Sequence, residues 1–352
     1  MEFAKLRSQS RLNLATSGMM GYPLAELPVS IDQLEINGSD GYGYEPLIER
    51  LAAKNKVAPE CLVYVNGGTS LANNLAFAAT TDPGDHVLIE TPGYEVLDTT
   101  ARFLGLEVHH FERRFEQGFR LDPKEIERCL TPRTRLIIIT NLHNPSGVLA
   151  PNEALRTIGE LARSAGARVL VDEVYLDMAW EQTPASSFHL DPQIFVVTNS
   201  LTKAYGLSGL RCGWILAEPE LARRIWRIND VYGATPVHAA ELLSVIALDN
   251  LAKIAARAQS LLEVNRALLG GFLDACPDIE VVRPEFGTMA FPRLRRGTVE
   301  KLFTLLRNKY ETSFVPGSFF AAPEHFRIGV GGDTAEVEEA LNRLRRALQE
   351  VG

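Results

Sequence analysis

Cysteine is scarce in this chain, and its four cysteines are too far apart in sequence to form a recognisable motif. Cys61, Cys129, Cys212 and Cys276 include no C-x-x-C pair and no cluster with histidine. This spacing argues against a disulfide framework and against a structural zinc site, because both draw on characteristic ligand spacings. We therefore expect a reducing compartment, the cytoplasm, and no metal.

Long apolar runs and excess positive charge are also missing. No stretch approaches the roughly 18 apolar residues that a membrane-spanning helix needs, and the first residues, MEFAKLRSQSRLN, lack the apolar core of a secretion signal. Lysine and arginine number 36 against 44 aspartates and glutamates, so the net charge is −8 with neutral histidines. That balance argues against a general binder of nucleic acid or of membrane surfaces.

The 352 residues do contain a repeated alternation of helical patterns and short apolar runs. The runs are rich in valine and isoleucine and end in polar residues, as in HVLIET, RLIIITN, ARVLVDE and IFVVTNS. Such runs, separated by helices such as EALRTIGELARSAG, are typical of a mostly parallel sheet covered by helices on both faces. We therefore predict an α/β fold whose large domain is built on this sheet.

The C-terminal part of the chain has a different pattern. The sequence from Ala239 to Leu273 reads as one long helix, and short strand-like segments then alternate with two further helical ones. A chain of this length usually divides into more than one domain, and the mixed pattern predicts a smaller α+β domain. We place the large domain at 36–265 and the small domain at 266–352. The N-terminal segment, 1–35, is expected to pack on the small domain.

One lysine follows the end of an apolar run, next to groups that suit an anion. In IFVVTNSLTKAYGLSGLR, Lys203 comes three residues after Ser200 and eight before Arg211. Nearby positive charge and partial burial both favour the uncharged, nucleophilic form of a lysine amine. An amine between a hydroxyl and a guanidinium suits a Schiff base with a phosphorylated aldehyde, although a single lysine is far more often a solvated surface charge.

A glycine turn earlier in the chain is a second candidate anion site. VNGGTSLANNLA reads as a strand, a two-glycine turn and a helix start, so the amides of Gly68 and Thr69 could contact a phosphate at the helix N-terminus. The spacing matches neither the mononucleotide nor the dinucleotide loop. An ordinary helix cap explains the turn equally well.

Four further positions suit the ring of an aromatic cofactor. Asp172 ends the apolar strand ARVLVD, and a carboxylate there could keep a pyridine nitrogen protonated. Tyr175 and Asn144 could donate to a phenolate oxygen on the ring, and Tyr94 could stack on its face. Taken singly, each of these residues also fits a cap, a turn or ordinary aromatic packing.

Six motifs in chain order resemble the class I and II aminotransferases of pyridoxal-phosphate fold type I. They are NGGTS, PGY, HNPSG, DEVY, SLTKAYGLSGLR and FRIG, and the resemblance covers nearly the whole chain. It implies that Lys203 carries pyridoxal 5′-phosphate as an internal aldimine and shuttles the substrate Cα proton. It also implies that Asp172 pairs with the pyridine nitrogen, while Asn144 and Tyr175 bind the ring oxygen.

The same resemblance implies the remaining contacts of the cofactor and the substrate. Arg327, in FRIG, would bind the α-carboxylate of an amino acid, and Gly18 and Asn144 would lie beside it. Tyr42, which we prefer over Tyr44, would reach the phosphate of a partner subunit, so a homodimer is expected. The phosphate and the ring face would be held by Gly68, Thr69, Ser200, Arg211 and Tyr94.

The implied reaction is ping-pong transfer of an amino group between an L-amino acid and a 2-oxo acid. The cofactor motifs do not separate this reaction from those of lyases, cyclases and decarboxylases on the same scaffold. Arg327 argues against α-decarboxylation, because a bound carboxylate is not the group that leaves. A pyridoxal-binding regulator is a third possibility, but no helix-turn-helix pattern or basic patch precedes the first motif.

Two departures from the family pattern bear on substrate choice. The chain has NPSG where the family usually has NPTG, and it is shorter than many members in the N-terminal segment and the small domain. Candidate lining residues there are Ser17, Gly18, Tyr22 and Tyr232, and the two tyrosines could favour an aromatic or apolar side chain. No second arginine is placed for a dicarboxylic side chain, so the sequence does not name the amino acid.

Overall fold

A computed structural model describes residue 8, residues 10–38 and residues 41–351 of the chain. Its strands are β1 Leu12–Asn13, β2 Leu62–Asn66, β3 His86–Thr91, β4 Glu107–Glu112, β5 Thr134–Thr140, β6 Arg168–Asp172, β7 Phe195–Ser200, β8 Cys212–Leu216, β9 Ile279–Glu280, β10 Met289–Ala290, β11 Arg293–Leu294, β12 Thr312–Ser313, β13 Val315–Pro316 and β14 Phe326–Gly329. Its α-helices are α1 Glu45–Asn55, α2 Gly68–Thr80, α3 Glu95–Phe103, α4 Pro123–Cys129, α5 Asn152–Ala165, α6 Pro219–Gly233, α7 His238–Asp249, α8 Leu251–Asp274, α9 Val299–Tyr310 and α10 Thr334–Val351.

A seven-stranded sheet in the order β2-β8-β7-β6-β5-β3-β4 forms the centre of the large part of the molecule. Strand β8 is antiparallel to both of its neighbours, and the other adjacent pairs are parallel. Side chains alternate across the sheet, so Ile137 and Ile139 enter one apolar core while Leu136 and Ile138 enter the other. Because both faces are buried, the centre of β5 is the continuous apolar run Leu136 to Ile139, and the predicted α/β fold with a mostly parallel sheet is confirmed.

The smaller α+β part is built from short strands and the last helices. Strands β10, β14 and β13 form an antiparallel sheet, and β9 pairs with β11. Near the N-terminus β1 pairs in parallel with β12. The predicted long helix is two helices, α7 and α8, which meet at Asn250. The proposed domain boundary at residue 265 lies inside α8, and residues 1–7 and 9 of the N-terminal segment lie outside the described residues.

An N-terminal strap, residues 14–22, connects the two parts of the molecule. On one side the amide of Met19 donates to the carbonyl of Lys203 at 2.8 Å. On the other side the amide of Met20 donates to the carbonyl of Gly331 at 2.6 Å, and Leu14 accepts from the amide of Gly329 at 2.7 Å. The strap therefore crosses the space beyond the carboxyl ends of the parallel strands, where ligands bind in open α/β sheets. Among the described residues, no helix is long and apolar enough to cross a membrane.

Candidate active site

A cavity of about 300 Å³ lies where the strap crosses the carboxyl ends of β5, β6 and β7. Nine of the twelve residues predicted for the site line it, and they come from both parts of the molecule: Thr69, Tyr94, Asn144, Asp172, Tyr175, Ser200, Lys203, Arg211 and Arg327. The ends of parallel strands meet at one edge of the sheet, so residues far apart in sequence share this cavity.

Asp172 is the one carboxylate among the described residues that line the cavity, and its side chain is buried. It is buried at the end of β6, where it accepts hydrogen bonds from Asn73 Nδ2 at 2.8 Å and from the amide of Val174 at 3.1 Å. Asn73 in turn accepts from Thr198 Oγ1 at 2.6 Å. Burial raises the pKa of Asp172 to about 6, and the hydrogen bonds and the positive charge of Lys203 oppose that rise. A cationic ring nitrogen at this carboxylate would favour its ionised form.

Asn73 was not predicted from the sequence. It lies four residues after Thr69 on α2, which puts both side chains on the same face of the helix. The four-residue spacing from Thr69, which is typical of one helix face, was the sequence signal that could have identified Asn73.

The amine of Lys203 lies within a chain of hydroxyl groups. Its Nζ is 3.4 Å from Ser17 Oγ, and Ser17 Oγ is 2.8 Å from the hydroxyl of Tyr175. Ser17 and Tyr175 are buried, and the strap holds Ser17 in place because its carbonyl accepts from Thr288 Oγ1 at 2.6 Å. The sequence suggested Ser17 only as a substrate-lining residue. The structure places it between the lysine and the tyrosine.

The glycine turn and the segment after β7 meet at one end of the cavity. Thr69 Oγ1 donates to Ser200 Oγ at 2.9 Å, and Arg211 Nη2 donates to the carbonyl of Gly67 at 2.5 Å. Gly68 has a positive φ of 67°, which strains any other residue, and a Cβ there would lie 2.7 Å from Arg211 Nη2 and displace the guanidinium. Two hydroxyls, a guanidinium and the N-terminus of α2 therefore form an anion-binding surface.

Arg327 is buried at the opposite side of the cavity. Its Nη1 donates to Asn144 Oδ1 at 2.8 Å and its Nη2 to the carbonyl of Ala15 at 3.1 Å, while Nε has no hydrogen-bond partner. The guanidinium also lies 5.0 Å from the ring centre of Phe320. Among the described residues no carboxylate pairs with Arg327, and burial lowers its pKa. A buried cation without a counter-charge indicates that an anionic group of a ligand belongs here.

Polar groups behind the cavity fix the turn that carries Asn144. The amide of Asn144 donates to Thr140 Oγ1 at 2.9 Å, and Glu90 accepts from the amide of Thr140 at 2.7 Å. Glu90 and Arg113 form a fully buried ion pair at 2.9 Å. His143 is also buried, with Nε2 2.8 Å from the carbonyl of Pro92, and burial holds its pKa well below the ordinary value. The turn is therefore held rigidly before any ligand binds.

The other predicted residues have different positions. Tyr94 lines the cavity at the start of α3, and Gly18 is so close to Lys203 that a Cβ would lie 3.2 Å from Lys203 Cδ. Tyr42 does not line this cavity. Its ring packs on Trp226, its hydroxyl donates to Asp230 Oδ2 at 3.1 Å, and it is 55% exposed. Its predicted role at the partner's phosphate stays a prediction.

The charges of the cavity fit pyridoxal phosphate. The lining holds three cationic side chains, those of Lys203, Arg211 and Arg327, and one carboxylate, that of Asp172. The surface near Arg211 could hold the phosphate, and the buried Asp172 could face the pyridine nitrogen. Arg327 would then remain for a second anionic group.

Comparisons with known proteins agree with this geometry. Residues 33–344 match the family described as aminotransferase class I and II. Capreomycidine synthase of Streptomyces vinaceus is 28% identical over 97% of this chain and 90% of that protein. The probable aspartate/prephenate aminotransferase of Aquifex aeolicus (strain VF5) is 28% identical over 87% of this chain and 81% of that protein.

Two solved structures have the same fold. A PLP-dependent aminotransferase from Streptococcus suis 89-1591 has a TM-score of 0.92 at 24% identity, covering 99% of this chain and 96% of that one. The PLP-dependent cyclase OrfR has a TM-score of 0.89 at 25% identity, with the same coverage of 99% and 96%. The family, fold and cofactor predicted from the six motifs are thus confirmed. The chain belongs to the class I and II aminotransferase family and is a pyridoxal-phosphate-dependent aminotransferase.

Proposed function

We propose that Lys203 and Arg327 bind the two ends of one substrate, an L-amino acid whose amino group passes to a 2-oxo acid by a ping-pong cycle. The observation that carries this proposal is the guanidinium of Arg327, which is buried, lacks a carboxylate partner among the described residues and lines the same cavity as Lys203. An α-carboxylate would supply the missing negative charge and could accept two hydrogen bonds from the guanidinium. The α-amino group would then lie on the side of Lys203.

The remaining lining residues support the cofactor. When bound, pyridoxal phosphate supplies an electron sink that makes the Cα–H bond of the amino acid acidic. Lys203 Nζ would attach to its aldehyde carbon, and Asp172 would face its pyridine nitrogen. The groups that would hold the ring oxygen, the ring face and the phosphate are Asn144, Tyr175, Tyr94, Gly68, Thr69, Ser200 and Arg211.

The proton transfers are assigned to Lys203. Its Nζ takes the proton from the substrate Cα and later releases it, as a general base and then a general acid. Ser17 Oγ, 3.4 Å from Nζ and 2.8 Å from the hydroxyl of Tyr175, orients the amine between these steps. Because Ser17, Tyr175 and Asp172 are buried, bulk water has little access to compete for the proton.

The surface around Tyr42 supports a homodimer. Tyr42 is exposed beside the end of α6, where Val231 and Tyr232 are also exposed, and Val237 follows them before α7. A cluster of exposed apolar side chains is typical of a contact surface. In a dimer, Tyr42, which does not line the cavity of its own subunit, would reach the phosphate site of the partner. The proposed location is the cytoplasm, supported by four free cysteines.

Ring closure of an amino acid is the second candidate function. It is favoured by the similarity to capreomycidine synthase, which extends over 97% of this chain, and by the fold shared with the cyclase OrfR. Several relatives are named as aspartate aminotransferases. The cations of this cavity are however assigned to the cofactor and the α-carboxylate, so a dicarboxylic substrate lacks a cation among the described lining residues.

Absorption titration of the holoenzyme separates these functions. Each common amino acid is added singly, without a 2-oxo acid, and the visible band of the cofactor is followed. Transamination predicts that the band collapses to that of the amine form with certain amino acids and returns when a 2-oxo acid is added. Product formation with an unchanged band after turnover, together with ammonia or a cyclic amino acid by mass spectrometry, would replace transamination with the second candidate.

A further inference from the structure

Two histidines and a glutamate form a cluster at the edge of the central sheet, at the end opposite the cavity. The cluster consists of His86, the first residue of β3, and of Glu107 and His109 on β4. One ligand atom from each side chain lies within 4.8 Å of the others. Within the described part of the chain, these three side chains form the one group of histidine, cysteine or carboxylate ligands close enough together to hold a metal ion.

The parallel register of the two strands creates this cluster. His86 is paired with Glu107, and Leu88 is paired with His109. Glu107 and His109 are two residues apart on β4, so both side chains point to the same face of the sheet as His86. His110 points to the other face, where its Nε2 lies 2.7 Å from Asp98 Oδ2 on α3. The sequence showed no histidine cluster, because His86 is more than 20 positions away from its partners.

The buried histidine is prepared to act as a ligand. His86 is 8% exposed, and its Nδ1 lies 3.0 Å from Thr131 Oγ1, which leaves Nε2 facing the cluster. Nε2 is 2.8 Å from Glu107 Oε2, so an ion placed between the two side chains would replace this direct contact. A metal-bound histidine typically has its second ring nitrogen fixed by such a hydrogen-bond partner. A nitrogen donor and a carboxylate oxygen donor therefore lie next to each other in this cluster.

We propose that His86, Glu107 and His109 bind a transition-metal dication, with Zn²⁺ as the representative ion. Two imidazole nitrogens and one carboxylate oxygen are a donor set that suits zinc and its neighbours in the first transition row. Zinc ligands lie about 2.0–2.2 Å from the ion, so the exposed side chains of Glu107 and His109 close around it. Three protein ligands leave a fourth position for water.

Arg133 competes for the same carboxylate. Its Nη2 donates to Glu107 Oε1 at 2.9 Å and its Nη1 to Glu107 Oε2 at 3.3 Å. The guanidinium of Arg133 keeps the pKa of Glu107 below its ordinary value, and it also repels an approaching cation. The metal therefore binds against a competing charge, and removing that charge strengthens binding.

The proposed ion would join the edge strand to the sheet. β4 is the outermost strand and is hydrogen-bonded to β3 on one side. A metal ligated from both strands links them and stabilises the folded enzyme in proportion to its occupancy. The site is at the opposite end of the strands from Lys203, so its loading leaves the cavity unchanged.

Calorimetric titration of the holoenzyme with ZnCl₂, in a buffer that does not chelate zinc, tests this proposal. The wild type is expected to bind one ion at this site. The midpoint of its thermal unfolding should rise with the zinc concentration. His109→Ala should weaken this binding by at least about tenfold, and Arg133→Ala should strengthen it several-fold. His110→Ala is the matched control, because it removes the adjacent imidazole on the other face of the same strand.

Equal zinc affinity in His109→Ala and His110→Ala would overturn the proposal, since any binding would then come from elsewhere on the surface. Absence of saturable zinc binding by the wild type would overturn it as well. His86→Ala is a second variant for the buried ligand. Its secondary structure is checked by circular dichroism, so that lost binding is not confused with lost folding.

Discussion

Arg327 donates a 2.8 Å hydrogen bond from its Nη1 to the side-chain oxygen of Asn144. The two residues belong to β14 in the smaller part and to the turn after β5 in the larger part, so the bond joins the two parts across the cavity. The sequence placed Asn144 both at the cofactor ring and beside the substrate carboxylate that Arg327 would bind, and it predicted no hydrogen bond between the two residues. Because of this hydrogen bond, a substitution of Arg327 also affects the position of Asn144.

Arg327→Lys should raise the KM for the amino acid by roughly 10–100-fold. A lysine keeps the positive charge but cannot bond Asn144, Ala15 and a carboxylate from one planar group. Steady-state kinetics would measure this change, while the visible band of the lysine-bound cofactor should still be present, because Lys203 is unaltered. Arg343→Lys on α10, which changes an arginine outside the cavity, is the control. A wild-type KM in Arg327→Lys would show that the carboxylate binds elsewhere.

Lys203→Ala should abolish turnover and the visible band of the lysine-bound cofactor, because no other lysine lines the cavity in the described part of the chain. Absorption spectroscopy and single-turnover kinetics measure both effects. Lys54→Ala is the matched control, since Lys54 is also largely buried but pairs with Asp177 at 2.9 Å outside the cavity. If Lys203→Ala kept the wild-type turnover, the central assignment would fail.

Asp172→Asn should cost most of the rate and yet stabilise the cofactor-free protein at neutral pH. Burial raises the pKa of Asp172 to about 6, above the value of about 4 in an unfolded chain. The folded state therefore favours the protonated carboxyl, and this contribution to stability is complete below pH 4 and lost as the pH rises through 6. An asparagine stays uncharged, so the variant should exceed the wild type by about 2–3 kcal/mol in the free energy of unfolding above pH 7.

Urea unfolding of the two cofactor-free proteins between pH 4 and pH 8 checks that difference, which should vanish at the acid end. Glu173→Gln is the control for activity. Glu173 is equally buried, and burial raises its pKa to about 7, but its carboxylate accepts from Ser187 and does not line the cavity. The Glu173→Gln variant should gain stability at high pH and keep the turnover of the wild type. Equal turnover in both variants would disprove the role of Asp172 at the ring.

Ser17→Ala should lower kcat by roughly tenfold. Ser17 Oγ accepts from Lys203 Nζ at 3.4 Å, so its loss removes the hydroxyl that orients the amine. Steady-state kinetics would measure kcat. Thr16→Ala is the control, because it removes a neighbouring hydroxyl that lines the same cavity. An equal kcat in both variants would mean that Ser17 has only a packing role.

The sheet strands that the sequence predicted have both faces buried and a run of consecutive apolar residues. In β5, β6 and β7 nearly every residue is buried and the apolar residues are consecutive, so the pattern can be recognised without knowledge of neighbouring elements. Strand β4, by contrast, buries only Phe111, and β8 has a glycine among its five residues. Their pairing with β3, β7 and β2 makes them strands, and such pairing is a property of the tertiary structure.

The break between α7 and α8 has a similar explanation. Ala- and Leu-rich sequence on both sides of Asn250 favours helix throughout, so local propensity predicts one helix. In the structure, Asn250 leaves the helical conformation and its Nδ2 donates to the carbonyl of Ile246 at 2.8 Å. A polar side chain that bonds to the preceding turn competes with continuation of the helix.

The sequence by itself determined the α/β fold class, the family and nine of the side chains that line the cavity. Those features depend on local patterns, namely the run of apolar residues, the turn that ends it and the polar residue that follows. Only the tertiary structure decided which of those side chains contact each other, because hydrogen bonds such as Asn73–Asp172, Ser17–Lys203 and Asn144–Arg327 join residues that are more than 90 positions apart. Their distances depend on the register of the sheet and on the path of the strap, which no local pattern encodes.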